Sequence, residues 1–166
     1  ISLLWGRGVS GLDLALLTVM YSVTTIGIGA GFHRYFSHDS FETYGPIRAA
    51  LAIAGSMAGQ GPVKFWVGLH RIHHAKSDQK GDPHSPHLHG EGLAGRLRGF
   101  VYAHIGWNFA HDADSKERAW CAMSFRGDRL IRIIDKLYLF WVFVGLALPA
   151  AIGGVVTGTW WGAFTG

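Results

Sequence analysis

Leu14-Ala-Leu-Leu-Thr-Val-Met-Tyr-Ser-Val-Thr-Thr-Ile-Gly-Ile-Gly-Ala-Gly-Phe32 runs for 19 residues without a charge and passes directly into His33-Arg-Tyr-Phe-Ser-His38. Nineteen apolar residues suffice for one helix to cross a bilayer, so the stretch predicts a transmembrane helix over 12–32 with polar chemistry at its end. A second histidine group, His70-Arg-Ile-His73-His74, also follows an apolar stretch. Histidine is the commonest side-chain metal ligand, through a neutral ring nitrogen. At about 100° per residue, His73 lies about 60° to one side of His70 and His74 about 40° to the other, so one helical face presents three imidazoles. His33 and His38 are about 140° apart on an ideal α-helix. The first group is therefore expected to straddle a helix end or a local unwinding.

The composition agrees with a membrane protein. Of 166 residues 49% are hydrophobic, and the mean hydropathy of +0.19 is high for a soluble chain. Leu137 to Gly166 holds 30 uncharged residues, too many for one ordinary span, and is interrupted by Pro149, Gly153, Gly154 and Gly158. We expect a span over 137–157, a short turn, and a further helix from Trp160. The predicted fold is an all-α integral membrane protein, with transmembrane helices and a cytoplasmic helical cap over 33–136 that carries the histidines. Fourteen of the 15 Lys and Arg residues lie between Arg34 and Lys136, all but Arg7, which is the positive-inside bias of a cytoplasmic segment. Ten acidic residues share that segment, and no aromatic-basic interleaving suggests stacked bases. Nucleic acid is excluded as a partner in favour of lipid headgroups or an anionic substrate. Cys121 is the only cysteine, so no internal disulfide forms. Ile1-Ser-Leu-Leu-Trp5 resembles the tail of an earlier apolar segment, and both termini are expected to be truncated.

Between the spans, 49–63 is apolar but short for a crossing and reads as an interfacial helix that stops near Gly61-Pro62. A second helix then carries Trp66 through His74. Ser77 to Gly95, rich in Asp, Gly, Pro and His, reads as an ordered loop, and its His84, His87 and His89 as solvated or structural by default. Short helices are expected over 99–109 and 118–135. Gly27 and Gly31 form a small-xxx-small pair that permits close helix packing. Metal-bound histidines usually donate their outer N–H to a carboxylate or carbonyl. His104, Asp82 and His84 are candidates for that supporting role, with Asp78, Asp112 and Asp114 as further carboxylates. His111 reads as a surface residue.

The motifs Gly31-Phe-His33-Arg-Tyr-Phe-Ser-His38, Gln60-Gly-Pro-Val-Lys-Phe-Trp66, His70-Arg-Ile-His73-His74, Asp82-Pro-His84 and His104-Ile-Gly-Trp107 resemble, in order and spacing, the membrane fatty acid desaturases. The resemblance is nearest to the acyl-CoA Δ9 (stearoyl-CoA type) branch in its bacterial form. It implies four transmembrane helices beneath a cytoplasmic cap, a centre of two iron ions held by three histidine boxes, and a bacterial inner-membrane location. His33 and His38 would be first-box ligands, and His70, His73 and His74 second-box ligands. Gln60 and Trp66 would line the bend of an acyl tunnel. A third box, HNxHH, is not in this sequence, and no histidine follows His111. We expect the parent gene to encode it shortly beyond Gly166.

The implied chemistry is O₂-dependent removal of two hydrogens from a saturated acyl chain, leaving a cis double bond. An acyl-CoA or other acyl lipid would be the substrate. Electrons would come from a ferredoxin or a cytochrome b5-like donor with its reductase, and membrane lipid would surround the spans. Imidazole ligands suit iron, whereas thiolates would turn the site toward zinc or iron–sulfur chemistry. Two other readings stand beside this one at the sequence level: a related histidine-box hydroxylase or ketolase, and a membrane zinc transporter with a histidine-rich loop.

Overall fold

A computed structural model describes residues 8–109 and 115–165. The expectations for Ile1–Trp5, Arg7, His111, Asp112 and Asp114 lie outside the described residues. Among those described the chain is all-helical. Helix α1 (Gly11–Ile26) continues without a break into a π-helical segment (Gly27–Ser37). It is followed by α2 (Gly45–Met57), α3 (Val63–Lys76), α4 (Gly92–His104), α5 (Ser115–Cys121), α6 (Arg129–Lys136), α7 (Tyr138–Thr157) and α8 (Trp160–Thr165).

The ends of these helices follow local chemistry. Ser10 caps α1 and exchanges hydrogen bonds with Asp13 in a capping box. Pro46 sits in the first turn of α2, where its missing N–H costs nothing. Asp128 caps α6 by accepting the Ile131 N–H at 3.1 Å and is paired with Arg48 of α2. The α3 start borrows its cap from α6, since Val63 N–H donates to the Asp135 carboxylate at 2.8 Å. Gly158, at φ +64°, ends α7 in the left-handed conformation, and α8 turns back onto it.

Boundaries differ from the sequence expectation in several places. The helix expected over 99–109 is α4 at Gly92–His104, which takes in the end of the expected 77–95 loop. The one expected over 118–135 is divided between α5 and α6. The first helix does not stop at Phe32 but runs on to Ser37, carrying His33 within it and His38 at its C-cap. The helix expected over 49–63 starts at Gly45 and ends at Met57, and it packs against the π segment, α1 and α7. Its small face makes this possible: Ala52, Gly55 and Ser56 are buried. Pro149 does not interrupt α7, which continues through it to Thr157. One lost N–H is a local cost that an otherwise regular helix absorbs.

The π segment and α2 meet through glycine. A Cβ on Gly27 would run into the backbone of Ala54 and Gly55, and one on Gly55 would run into the Phe32 ring. Phe32 and Phe36 then point with Ala52, Val63, Val67, Phe125, Ile131 and Ile134 into one core beneath the histidines. The two helical stretches long and apolar enough to cross a membrane, Gly11–Ser37 and Tyr138–Thr157, have only 17% and 11% of their most apolar windows buried. A soluble core helix would bury most of that surface. Here Leu17, Tyr21, Phe143, Leu146 and Val155 face outward.

Gly27→Ala in the full-length protein is expected to force the two helices apart at a cost of about 1–3 kcal/mol, and to lower the thermal unfolding midpoint in detergent. Gly29→Ala, where an added Cβ meets nothing within 4 Å, should leave the midpoint unchanged or raise it. Equal midpoints for the two variants would contradict the close-packed contact.

Candidate metal centre

A π-helix bonds residue i to residue i+5, so residues five apart lie closer to one face than they would on an α-helix. That winding brings His33 and His38 onto one side of the helix end, with ring centroids 4.7 Å apart. Ser37 reinforces it by donating from its hydroxyl to the Phe32 carbonyl, five residues back, at 2.7 Å. Across from them α3 presents His70 and His74 one turn apart, centroids 4.5 Å. The His70 Nε2 lies 3.1 Å from His38 Nε2 and 3.0 Å from His74 Nε2, and the His33 ring sits 4.7 Å from that of His70. One ligand nitrogen from each of His33, His38, His70 and His74 falls within 4.8 Å of the other three.

This spacing fits a bound cation. Nitrogens about 2.1 Å from one ion and at right angles to each other lie about 3 Å apart. The protonation state fits as well. Burial, then the neighbouring imidazoles of His74, His33, His38 and His73, pull the pKa of His70 down to about 3. Burial, followed by His38 and His73, lowers that of His74. Neutral imidazoles with free lone pairs are what a transition metal requires, and neither thiolate nor carboxylate stands among the four. Cys121 lies outside the cluster, and burial raises its thiol pKa.

His73 does not join the four-ring cluster. Its Nδ1 lies 2.8 Å from the Asp82 Oδ1. Asp82 also accepts the backbone N–H groups of Asp78 and His84, each at 2.8 Å. Burial alone would raise the Asp82 pKa, but these hydrogen bonds, His73 first, hold it below the usual carboxylate range. A carboxylate so fixed favours the Nδ1–H tautomer of His73 and leaves its Nε2 lone pair available. Asp82 is one of the several carboxylates the sequence offered for this supporting role, and it is the one in contact with His73.

On the His70 and His73 side of α3 opens a cavity of about 540 Å³, lined by Gln60, Trp66, His84, Ala103, His104 and Trp107 among others. Trp66 stacks on the His70 ring at 4.8 Å and 20° and donates from its indole N–H to the Gln60 side chain at 3.1 Å. The two residues expected to line a tunnel bend therefore form one hydrogen-bonded wall beside the histidines. His84 is not a solvated loop residue. Its ring lies 5.5 Å from His73 and 5.2 Å from Trp107, and its Nδ1 is buried without a partner. His104 lines the cavity but bonds the Phe100 carbonyl rather than any clustered histidine. His89 packs on Tyr102. The cavity wall holds together because α4 carries Gly95 and Gly99 where the 86–90 loop carbonyls press against it.

These features define a class: a helical protein with a cluster of histidines, able to hold a metal ion, at the end of a long apolar helix. The chain matches the fatty acid desaturase family over residues 12–166 and belongs to it. It is 42% identical, along its whole length, to a hex-5-enoyl-[acyl-carrier protein] acetylenase of Moorena producens (strain JHB), of which it covers 52%. Over 93% of its length it is 31% identical to an sn-1 stearoyl-lipid 9-desaturase of Anabaena variabilis, covering 53% of that protein. Over 71% it is 35% identical to stearoyl-CoA desaturase 5 of Bos taurus, covering 33%. The chain spans about half the length of the first two relatives.

Asp82→Asn places an N–H donor among three donors. Loss of such outer partners typically weakens metal binding about 10- to 100-fold. The full-length variant should carry correspondingly less iron by elemental analysis at wild-type protein levels. Undiminished iron would show that Asp82 only braces the loop.

Proposed function

We propose that the full-length protein is a membrane-bound, O₂-dependent acyl desaturase whose centre of two iron ions takes His33, His38, His70, His73 and His74 among its ligands. The convergence of four imidazoles from two separate helices carries this reading, and membership of the desaturase family supports it. Iron bound there would supply the oxidising power by which O₂, two protons and two donor electrons remove one hydrogen from each of two adjacent carbons, giving two waters and a cis double bond.

The chain's own residues position the reactants. Asp82 holds the His73 tautomer. Trp66 and Gln60 close one wall of the cavity directly against His70, so an acyl chain lying there has its path past the metal fixed by an indole ring. Positioning of this kind can supply several kcal/mol of barrier reduction. We place the histidine face in the cytoplasm of a bacterial cell and the protein in its inner membrane as a multi-pass protein. The basic balance of 34–136 and the outward apolar surfaces of α1 and α7 support that placement. The substrate is an acyl chain on coenzyme A, on acyl carrier protein or in a lipid, desaturated at Δ9. Electrons come from a separate ferredoxin or cytochrome b5-like donor with a reductase.

A second reading is favoured by the 42% identity to an acetylenase: dehydrogenation of an existing double bond to a triple bond. It uses the same site and the same balance of O₂ and electrons. Gas chromatography–mass spectrometry of acyl chains from cells expressing the full-length gene separates the two. New monounsaturated chains in the wild type, and none with His74→Ala, are the expected result. Alkynyl products alone would favour the second reading, and no new product with iron-loaded protein and a competent donor would contradict both. Trp66→Ala should shift chain-length or positional selectivity at normal protein levels, and an unchanged profile would make the ring a packing residue only.

A further inference from the structure

Arg71 sits inside the second histidine group but turns its side chain away from it. Its planar fork is almost fully used. Nε donates to the Ser37 carbonyl at 3.2 Å and Nη2 to the Phe36 carbonyl at 3.0 Å. Nη1 donates to the Cys121 carbonyl at 2.8 Å and to the Ser124 hydroxyl oxygen at 2.9 Å. The guanidinium carbon lies 5.9 Å from the centre of the Phe125 ring, and the Asp39 carboxylate is 4.0 Å away. Three parts of the chain thus meet on one side chain.

Where these bonds fall matters more than their number. Phe36 and Ser37 are the last two residues before His38, and carbonyls at a helix C-terminus lack intrahelical partners. A cation there also opposes the negative end of the helix dipole. The backbone of Arg71 adjoins His70, and its guanidinium grips the carbonyls that adjoin His38. The two ends of this one residue therefore bracket the 3.1 Å approach of His38 Nε2 to His70 Nε2. Charge-assisted, forked hydrogen bonds fix direction as well as distance. Lysine has the charge but not the planar fork.

We propose that Arg71 is a positioning residue for the metal centre: it sets the placement of His38 against His70 by clamping the end of the π segment to α3. The inference rests on the metal-site reading above and assigns a task within it that none of the proposed ligands performs. Ser124 supplies a control, because losing its hydroxyl removes one bond of the fork without touching the histidine-bearing helix end.

The test uses Co(II) as the probe in the full-length protein in detergent, comparing wild type, Arg71→Lys, Arg71→Gln and Ser124→Ala. Affinity comes from metal titration, ligand geometry from the visible ligand-field absorption of the loaded, folded fraction, and fold from circular dichroism and thermal midpoint. Both Arg71 variants should bind Co(II) about 10- to 100-fold more weakly and show a shifted absorption band, while Ser124→Ala matches wild type in both. Wild-type affinity and spectrum in Arg71→Lys and Arg71→Gln would overturn the proposal, even if both unfold at lower temperature, because Arg71 would then hold the fold and not the ligands. Failure of the wild type itself to bind Co(II) would overturn the metal-site reading and this inference with it.

Discussion

Two imidazoles five residues apart come toward one face when the backbone is wound more widely than an α-helix, with i→i+5 hydrogen bonds. An α-helix would hold His33 and His38 about 140° apart, with at most one of them able to meet α3. Winding the segment from Gly27 to Ser37 as a π-helix solves this, and much of the surrounding structure serves that winding. Gly27 admits the backbone of α2 against it. Phe32 and Phe36 anchor it in the core. The Ser37 hydroxyl and the Arg71 guanidinium satisfy carbonyls near its end. π-helical turns are rare and are found frequently at functional sites, which agrees with the ligands lying at the end of this one.

The electrostatics run in the same direction. Imidazoles in contact resist sharing positive charge, because each added charge repels its neighbours, and burial adds to this at His70 and His74. His70, at the centre with its pKa drawn to about 3, is held neutral at any physiological pH. A cluster of lone pairs with no carboxylate among them is a poor structural element: it gains little from burial, and it crowds nitrogen against nitrogen. A cation relieves that crowding. The Asp82 carboxylate stands one step out, bonded to His73 and outside the four-ring cluster.

The second histidine group was legible from spacing alone, because an α-helix converts HxxHH into one face, and α3 is such a helix. Apolar length set a helix over 137–157, and α7 covers Tyr138–Thr157 and ends at Gly158. The first group was legible only as a conflict: the α-helical angle between His33 and His38 was wrong for a shared site, which pointed to a distortion without saying which kind. π-winding has no residue signature comparable to a cap. His84 read as solvated or structural, or as a candidate supporting residue, because loop composition does not reveal that its ring lies between His73 and Trp107. The fork of Arg71 reaches Phe36, Ser37, Cys121 and Ser124, more than thirty residues away in either direction, and no periodicity encodes that.

The central claim is that imidazoles from the π segment and from α3 ligate the same metal. Iron X-ray absorption of the full-length protein tests it most directly, because imidazole rings give a characteristic outer-shell scattering and sulfur a distinct inner one. The account predicts a first shell of nitrogen and oxygen without sulfur, and an imidazole signal that falls when either His38 or His70 is replaced by alanine. An iron environment in which removing one of those two histidines leaves the imidazole signal intact would contradict it.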